Sequence, residues 1–413
     1  MAKNFATLYA STNDAISLEQ KFFVKAETTR GELIAPIGTD FLYTLAGGSI
    51  EFSQPFESSP HRSGRHHNNI IKKKKETNWN FSTYFNIDTS LGAASSAEID
   101  TPVRVLWKSM MGYEDISAGA KYSPTVPDIT FSLFENGDKW ARQARGCFVQ
   151  GANMTLPGDG EATTEWSGSG KDAIYLGIGK SVTDNDGANT VTLASGDGAQ
   201  FKKAIGGLVM LVEADGVTRS ADTPTGSPRK IVSVVGDVVT LDGAVLADAD
   251  GSGLNAPLYL AYYEPTSNTG IDNPVTGLTG SLTITGFSSI CPRSISLNLQ
   301  NNHELVNYCY GESGLSGPLF VPGDRMTAEI TMEFNISKEV MKLFNGVQNF
   351  DAQAIQVILG DVTGRHLDID IPKAFFNVPS FSVPDTGSIP VSFTGTAYQT
   401  AFDAADEISV HFK

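Results

Sequence analysis

The sequence predicts a mainly β protein of the α+β type, and three observations carry that expectation. Many short stretches alternate apolar with polar side chains, the period of a strand with one buried face. Clusters of Gly, Asp, Asn and Pro separate them, in a chain of 413 residues with 41 glycines. The length exceeds the roughly 250–300 residues at which one core stops growing, so two or three domains are expected.

The first element to justify is a duplication. In Thr77–Ile87, Trp79, Phe81, Phe85 and Ile87 alternate with Asn78, Asn80, Tyr84 and Asn86. In Met326–Ile336, Ala328, Ile330, Met332 and Phe334 alternate with Thr327, Glu329, Thr331 and Glu333. Both end in Phe-Asn-Ile, and Ile336 follows Ile87 by 249 residues. A helix is predicted after each. The first runs from Pro102 to Met111, with Thr101 as N-cap, Gly112 as stop and Val103, Leu106, Trp107 and Met110 in one stripe. The second starts at the cap Ser337, carries Val340, Leu343 and Phe344, and ends at Gly346.

A hairpin is predicted next in each half. Ile129, Phe131 and Leu133 precede the turn Asn136-Gly137, and Ile355, Val357 and Leu359 precede a turn within 360–364. Ile355 follows Ile129 by 226 residues. At the end of the unit Lys373 follows Gly146 by 227, which aligns Pro157 with Pro384, Trp166 with Phe393 and Gly168 with Gly395. The expected layout is an N-terminal segment 1–40, one unit at 41–171, a β insert and linker at 172–278, and a second unit at 279–413. Within the insert, strands are expected at Val191–Leu193, Leu208–Val212, Ile231–Leu241 around Gly236-Asp237, and Leu258–Tyr263.

Charge narrows the function. The formal charge is −16, which excludes binding of nucleic acid by a basic face while allowing it to slide past. Glu57–Lys75 departs from this. It holds Arg62, Arg65, Lys72, Lys73, Lys74 and Lys75 against one acid, so it is +5 and leaves −21 on the rest. A loop of this length is expected to be functional, and a basic arm on an acidic body suits pairing with a neighbour. A nucleic-acid arm and a plain solvated loop are the other readings.

Signals for chemistry are weak. Cys147, Cys291 and Cys309 are odd in number, which argues against a disulfide scaffold and fits a reducing cytoplasm. His61, His66 and His67 lack metal-ligand spacing, Gly168–Lys171 is followed by Asp172 rather than Ser or Thr, and Asp248–Gly251 lacks the first ligand of a calcium loop. No hydrolase signature is present, so no enzyme, cofactor or metal is expected. The first residues carry no apolar run and no stretch approaches ~18 apolar residues, so neither a signal peptide nor a membrane span is expected.

The loop Pro60–Phe85, the motif Glu165-Trp166-Ser167-Gly168-Ser169-Gly170 and the stretch Asn377–Phe393 resemble the tail tube proteins of siphophages, the long-tailed, non-contractile bacteriophages. The likeness is to the branch that carries the tube domain twice, and it covers about two thirds of the chain. It implies two tandem β-sandwich or barrel domains, each with a flanking helix. It further implies homotrimeric, pseudo-hexameric rings stacked into a tube in the virion tail, with the long loop resting on the next ring. DNA would pass through the lumen without specific binding, and tape measure, tail terminator and distal tail proteins would be partners. Glu329 and Glu333, together with Asp368 and Asp370 in the alternating strand Leu367–Ile371, are the candidates for an acidic lumen. A solvated outer face is the competing reading of those carboxylates. The inner tube of a contractile injector and a carbohydrate-binding adhesin, with Tyr259, Tyr262 and Tyr263 as exposed aromatics, remain alternative functions.

Overall fold

The computed structural model describes residues 20–58, 70–73, 75–86, 101–117, 119–185, 189–213, 228–243, 258–265, 275–277, 280–287, 290–306, 320–362 and 365–413. The chain is mainly β, as its alternation predicts. In the first unit, β1 (Lys21–Ala26), β2 (Phe41–Leu42) and β3 (Ser49–Ser53) lead into a short arm of β4 (Phe56–Ser58) and β5 (Ile70–Lys72). β6 (Glu76–Tyr84), helix α1 (Thr101–Met111) and the hairpin β7 (Gly112–Asp115) and β8 (Ala120–Pro124) follow. β9 (Phe131–Asn136), β10 (Trp140–Pro157), β11 (Thr163–Gly170) and β12 (Asp172–Gly177) complete it.

β10 is the spine of this unit, because its 18 residues are enough to serve two sheets. Its first half pairs with β9 and β12 and its second half with β11. One sheet is therefore β1-β9-β10-β12, and the other begins β3-β6-β11-β10. The strand passes between them at a bulge from Ala144 to Cys147, the device that bends a strand without ending it. Gly146 supplies the positive φ of 63° that the bulge needs. Its N–H donates to Glu27 at 2.7 Å, and the same carboxylate accepts from Gly31 N at 2.6 Å, Thr130 Oγ1 at 2.6 Å and Ser132 Oγ at 3.0 Å.

Between the units, β13 (Lys180–Asn185), β14 (Thr190–Leu193), β15 (Leu208–Glu213), β16 (Arg229–Val235), β17 (Val238–Leu241) and β18 (Leu258–Tyr262) form a closed barrel, order β13-β14-β17-β16-β15-β18. The barrel sits on the first unit's outer sheet. Gln143 of β10 exchanges hydrogen bonds with Leu208 N and O at 2.7 and 2.8 Å. Phe23 and Phe134 share a core cluster there with Met210, Tyr259 and Tyr263, so the three tyrosines thought to be exposed are buried in this packing.

The second unit comprises β19 (Ser281–Ile284), β20 (Pro292–Gln300), an arm of β21 (His303–Leu305) and β22 (Phe320–Pro322), β23 (Thr327–Asn335), α2 (Lys338–Gln348), β24 (Gln353–Val362), β25 (Arg365–Phe376), β26 (Pro390–Ala397) and β27 (Ser409–Phe412). It repeats the ladder of the first. β25 pairs with β24 and β27 over its first half and with β26 over its last three residues, and it bulges between Ile371 and Ala374. Counting 227 residues forward turns Ala144 and Cys147 into Ile371 and Ala374, and turns the Phe148–Ser169 pair into Phe375–Thr396. Both helices bury the expected stripe, and Ser337 caps α2 by accepting from Val340 N at 3.3 Å. α2 runs to Gln348, past the expected stop at Gly346, and Val347 joins the core.

Several expectations change. The ladder matches Leu133 with Ile355, opposite Ala144 and Ile371, so the hairpins are offset by 222 residues rather than 226. The reason is length at the tip, since β24 has 10 residues and β9 has 6. Phe81 and Met332 lie opposite Trp166 and Phe393, an offset of 251 rather than 249. A slip of two residues preserves which side chains face the core, so alternation alone does not detect it. β1 belongs to the first unit through β9, and β12 belongs to it through β10, so that unit spans about 20–177 rather than 41–171. The hairpin β7–β8 has no counterpart after α2. Instead β8 pairs with β27, setting Tyr122 against Val410 and Ala120 against Phe412. The second unit's outer sheet, β19-β24-β25-β27-β8-β7, thus ends in strands of the first.

The aligned glycines share one cause. A Cβ on Gly168 would stand 2.1 Å from Phe148 O and 2.3 Å from the Trp79 ring, and one on Gly395 would stand 2.4 Å from Phe375 O and 2.6 Å from the Phe376 ring. Gly168→Ala and Gly395→Ala should each cost about 1–3 kcal/mol by overpacking. Thermal or urea unfolding of the two variants checks this, and Gly286→Ala, which meets nothing within 4 Å but carries a positive φ of 89°, separates crowding from backbone strain.

Candidate functional site

The two units meet edge to edge. β10 pairs with β20 from Gly151–Gln300 to Pro157–Ser294, and β20 continues into β23 and β26. Seven strands, β3-β6-β11-β10-β20-β23-β26, therefore form one sheet that crosses from unit to unit without a break.

The apolar side chains of this sheet, including Phe81, Trp166, Met154, Leu297, Ile330 and Phe393, enter the core. The alternate side chains form a polar wall. One rung reads Ser82, Glu165, Asn153, Asn298, Glu329, Thr396, and the next reads Tyr84, Thr163, Thr155, Ser296, Thr331, Thr394. Neighbours bond across the rungs. Ser294 Oγ donates to Glu333 at 3.3 Å, and the Thr331 and Thr394 hydroxyls lie 3.2 Å apart. Glu51, Glu165, Glu329 and Glu333 stand exposed on this wall. No residue alternating onto it between β3 and β26 is Lys or Arg, and Arg293 stands beside it in the bulge between Pro292 and Ser294.

The four carboxylates expected to share a face divide between two. Asp368 and Asp370 lie on the first half of β25, whose Leu367, Ile369 and Ile371 fill the core from the opposite sheet. They point away from the core on the far side of the sandwich from Glu329 and Glu333, so one surface cannot hold all four. The alternation that singled them out is the same in both sheets, which is why it misassigned them to one group. Asp368 is also 3% exposed, with Lys413 Nζ at 2.8 Å and Gln356 Nε2 donating at 3.0 Å. Asp370 opens onto a cleft of about 790 Å³ with Lys121, Gln356 and Asp406 in its lining. Burial first, and the neighbouring Asp368 carboxylate second, raise its pKa, against the opposing pull of Lys413, Lys121 and His411.

Of the basic arm, Arg62, Arg65 and Lys74 lie outside the described residues, as do His61, His66 and His67. Its root is described. β4 and β5 pair from Phe56–Lys72 to Ser58–Ile70, and Lys73 ion-pairs with Glu57 across them. Lys75 reaches Asp172 at 3.5 Å and lies 5.5 Å above the Phe52 ring. Two of the six cations are thus anchored to the body of the unit. The sequence reading missed the apolar character of the root, visible in Phe56, Ile70 and Ile71.

Among the described residues no group of three or more His, Cys, Asp or Glu is placed to hold a metal, and no helix is long and apolar enough to cross a membrane. No family model matches the chain, and no curated protein matches it.

Two substitutions separate the surfaces. Glu329→Lys with Glu333→Lys should leave the melting temperature of the single chain within about 0.5 kcal/mol of wild type, because both side chains are solvated. Asp368→Ala should cost roughly 1–3 kcal/mol by leaving Gln356 and Lys413 without their acceptor. Asp370 holds its proton more tightly folded than unfolded, so its charging opposes folding above the ordinary carboxylate range and not below it. Asp370→Asn should therefore stabilise the protein at pH 7, with the gain vanishing below about pH 4 as the wild-type group protonates. Melting curves at both pH values check it.

Proposed function

We propose that this chain is a structural subunit of a hollow protein tube of the siphophage tail type. Three chains would supply six β units to a ring, and rings would stack around a channel for DNA. The observation that carries the reading is the unbroken polar sheet made by two like units. A sheet built by adding one unit to the edge of the previous one continues by the same rule, and closure removes the free edges that otherwise aggregate. Its wall carries carboxylates and alternates no base into the surface. Such a wall offers no phosphate neutralisation and repels a polyanion at short range, which favours passage over binding. The family resemblance in the loop and the Trp-Ser-Gly motif supports the same reading.

The arm fits contact between rings. Its root is fixed to the first unit, and its cations include Arg62 and Arg65, in a chain whose remainder is strongly acidic.

Negative-stain microscopy of concentrated protein should show stacked rings with an open centre. Deleting residues 60–69, which leaves the β4–β5 root, should give rings that do not stack, and full-length tubes from that variant would refute the arm's role. Dispersed single particles with affinity for glycans would instead favour an adhesin.

A further inference from the structure

The joint between the two units contains more than a ladder. Asn301, just past β20, donates its side-chain amide to the carbonyls of Ser109 and Val149 at 3.3 Å each. The arm β21–β22 then leans over β10. Phe320 stacks on Phe148 at 4.7 Å, and Gln150 donates to the carbonyl of His303 at 3.3 Å. The second unit therefore grips the first twice, by an edge strand and by the root of the arm beside it.

Each gripping part has a counterpart in the first unit that grips nothing. β3 corresponds to β20, and among the described residues it pairs with β6 alone. The β4–β5 root corresponds to β21–β22, and its Phe56, Ile70 and Ile71 are 48–65% exposed. The gripped surface has a counterpart too. Counting 227 residues forward, Phe148 becomes Phe375, and Gly151–Pro157 becomes Val378–Pro384. That stretch continues β25 with no strand pairing, and its Val378, Phe381 and Val383 are 42–71% exposed.

We propose that these two surfaces are halves of one contact between successive copies of this chain. β3 of one copy adds to residues 378–384 of the next, and the β4–β5 root seats on that copy's Phe375. The inference rests on the ring reading and names the partner surface within it. The register follows from the internal joint. Ile50 opposes Trp79 as Leu297 opposes Ile330, so Glu51 takes the place of Asn298, and Ser380 takes the place of its partner Asn153. Glu51 then faces Ser380 on the polar wall, while Ile50 meets Phe381 and Phe52 meets Pro379 on the apolar side. Apolar thus meets apolar and polar meets polar along the whole contact, as in β-strand addition. Pro379 replaces Ala152 and has no N–H, so this ladder is a donor short of the internal one. The contact is head to tail and of one kind, which closes a ring when its rotation divides a full turn.

The test uses the full chain in a Cys291→Ser, Cys309→Ser background. Glu51→Cys with Ser380→Cys should yield, on oxidation, covalent species ending at the chain number of the ring. Asn153 and Asn298 occupy a close, non-hydrogen-bonded pair, the geometry a disulfide requires. Ile70→Asp with Ile71→Asp should leave the single chain's melting temperature unchanged and raise the concentration needed for rings at least tenfold. Rings in the wild type together with normal rings in the Asp variant and no cross-link would overturn the proposal and leave the tube reading standing. A wild-type chain that never forms rings would overturn both.

Discussion

The pairing of β10 with β20 is the constraint on which the rest of the molecule depends. It fuses two units into one sheet, and it fixes which side chains face away from the core in both. Individual cross-strand neighbours contribute only about 0.2–1 kcal/mol each. The joint is nevertheless secure, because Met154, Leu156, Ile295 and Leu297 are buried beneath it in a core that both units share. A polar rung can therefore run from Ser82 to Thr396 across the boundary with no change in chemistry.

The two units keep this inner sheet alike and diverge on the outer one. The first buries its outer face under the insert barrel, with the Gln143 side chain as the polar link. The second leaves the equivalent face open around Asp370 and extends it with the borrowed hairpin β7–β8. Such a division is expected where one surface must match itself repeatedly and the other meets varied surroundings. The spine strands β10 and β25 make it possible, since one bulge in each lets a single strand belong to both sheets.

Alternation of side chains made much of this legible in advance. Phe81 and Ile330, or Trp166 and Phe393, mark strands with a core face, and Gly168 and Gly395 mark the places where a ring lies on a neighbouring backbone. Alternation gives the period of a strand and not its sheet. That is why Glu329 and Asp368 read as equivalents although they lie on opposite sides of the sandwich. It is also insensitive to a slip of two, which hid the offset of β6 against β23. The strand β1 carries only three consecutive buried residues, Phe22, Phe23 and Val24, with no period of two to announce it. The assignment of β8 to the second unit depends on contacts between residues about 290 positions apart, which no local pattern encodes.

That last pairing bears on how the chain is made. β8 emerges early in synthesis, whereas Val410 and Phe412, its ladder partners, are nearly the last residues to leave the ribosome. Until then the hairpin's edge and the apolar rings of Trp107 and Tyr122, which pack against Phe412 when folded, have nothing to rest on. Non-local closure of this kind is slow, and an open edge during the wait invites capture by another nascent chain. The final turn of the sequence therefore acts as a clasp, and a ribosome that stalls a few codons short would release a product whose two halves are joined yet not locked.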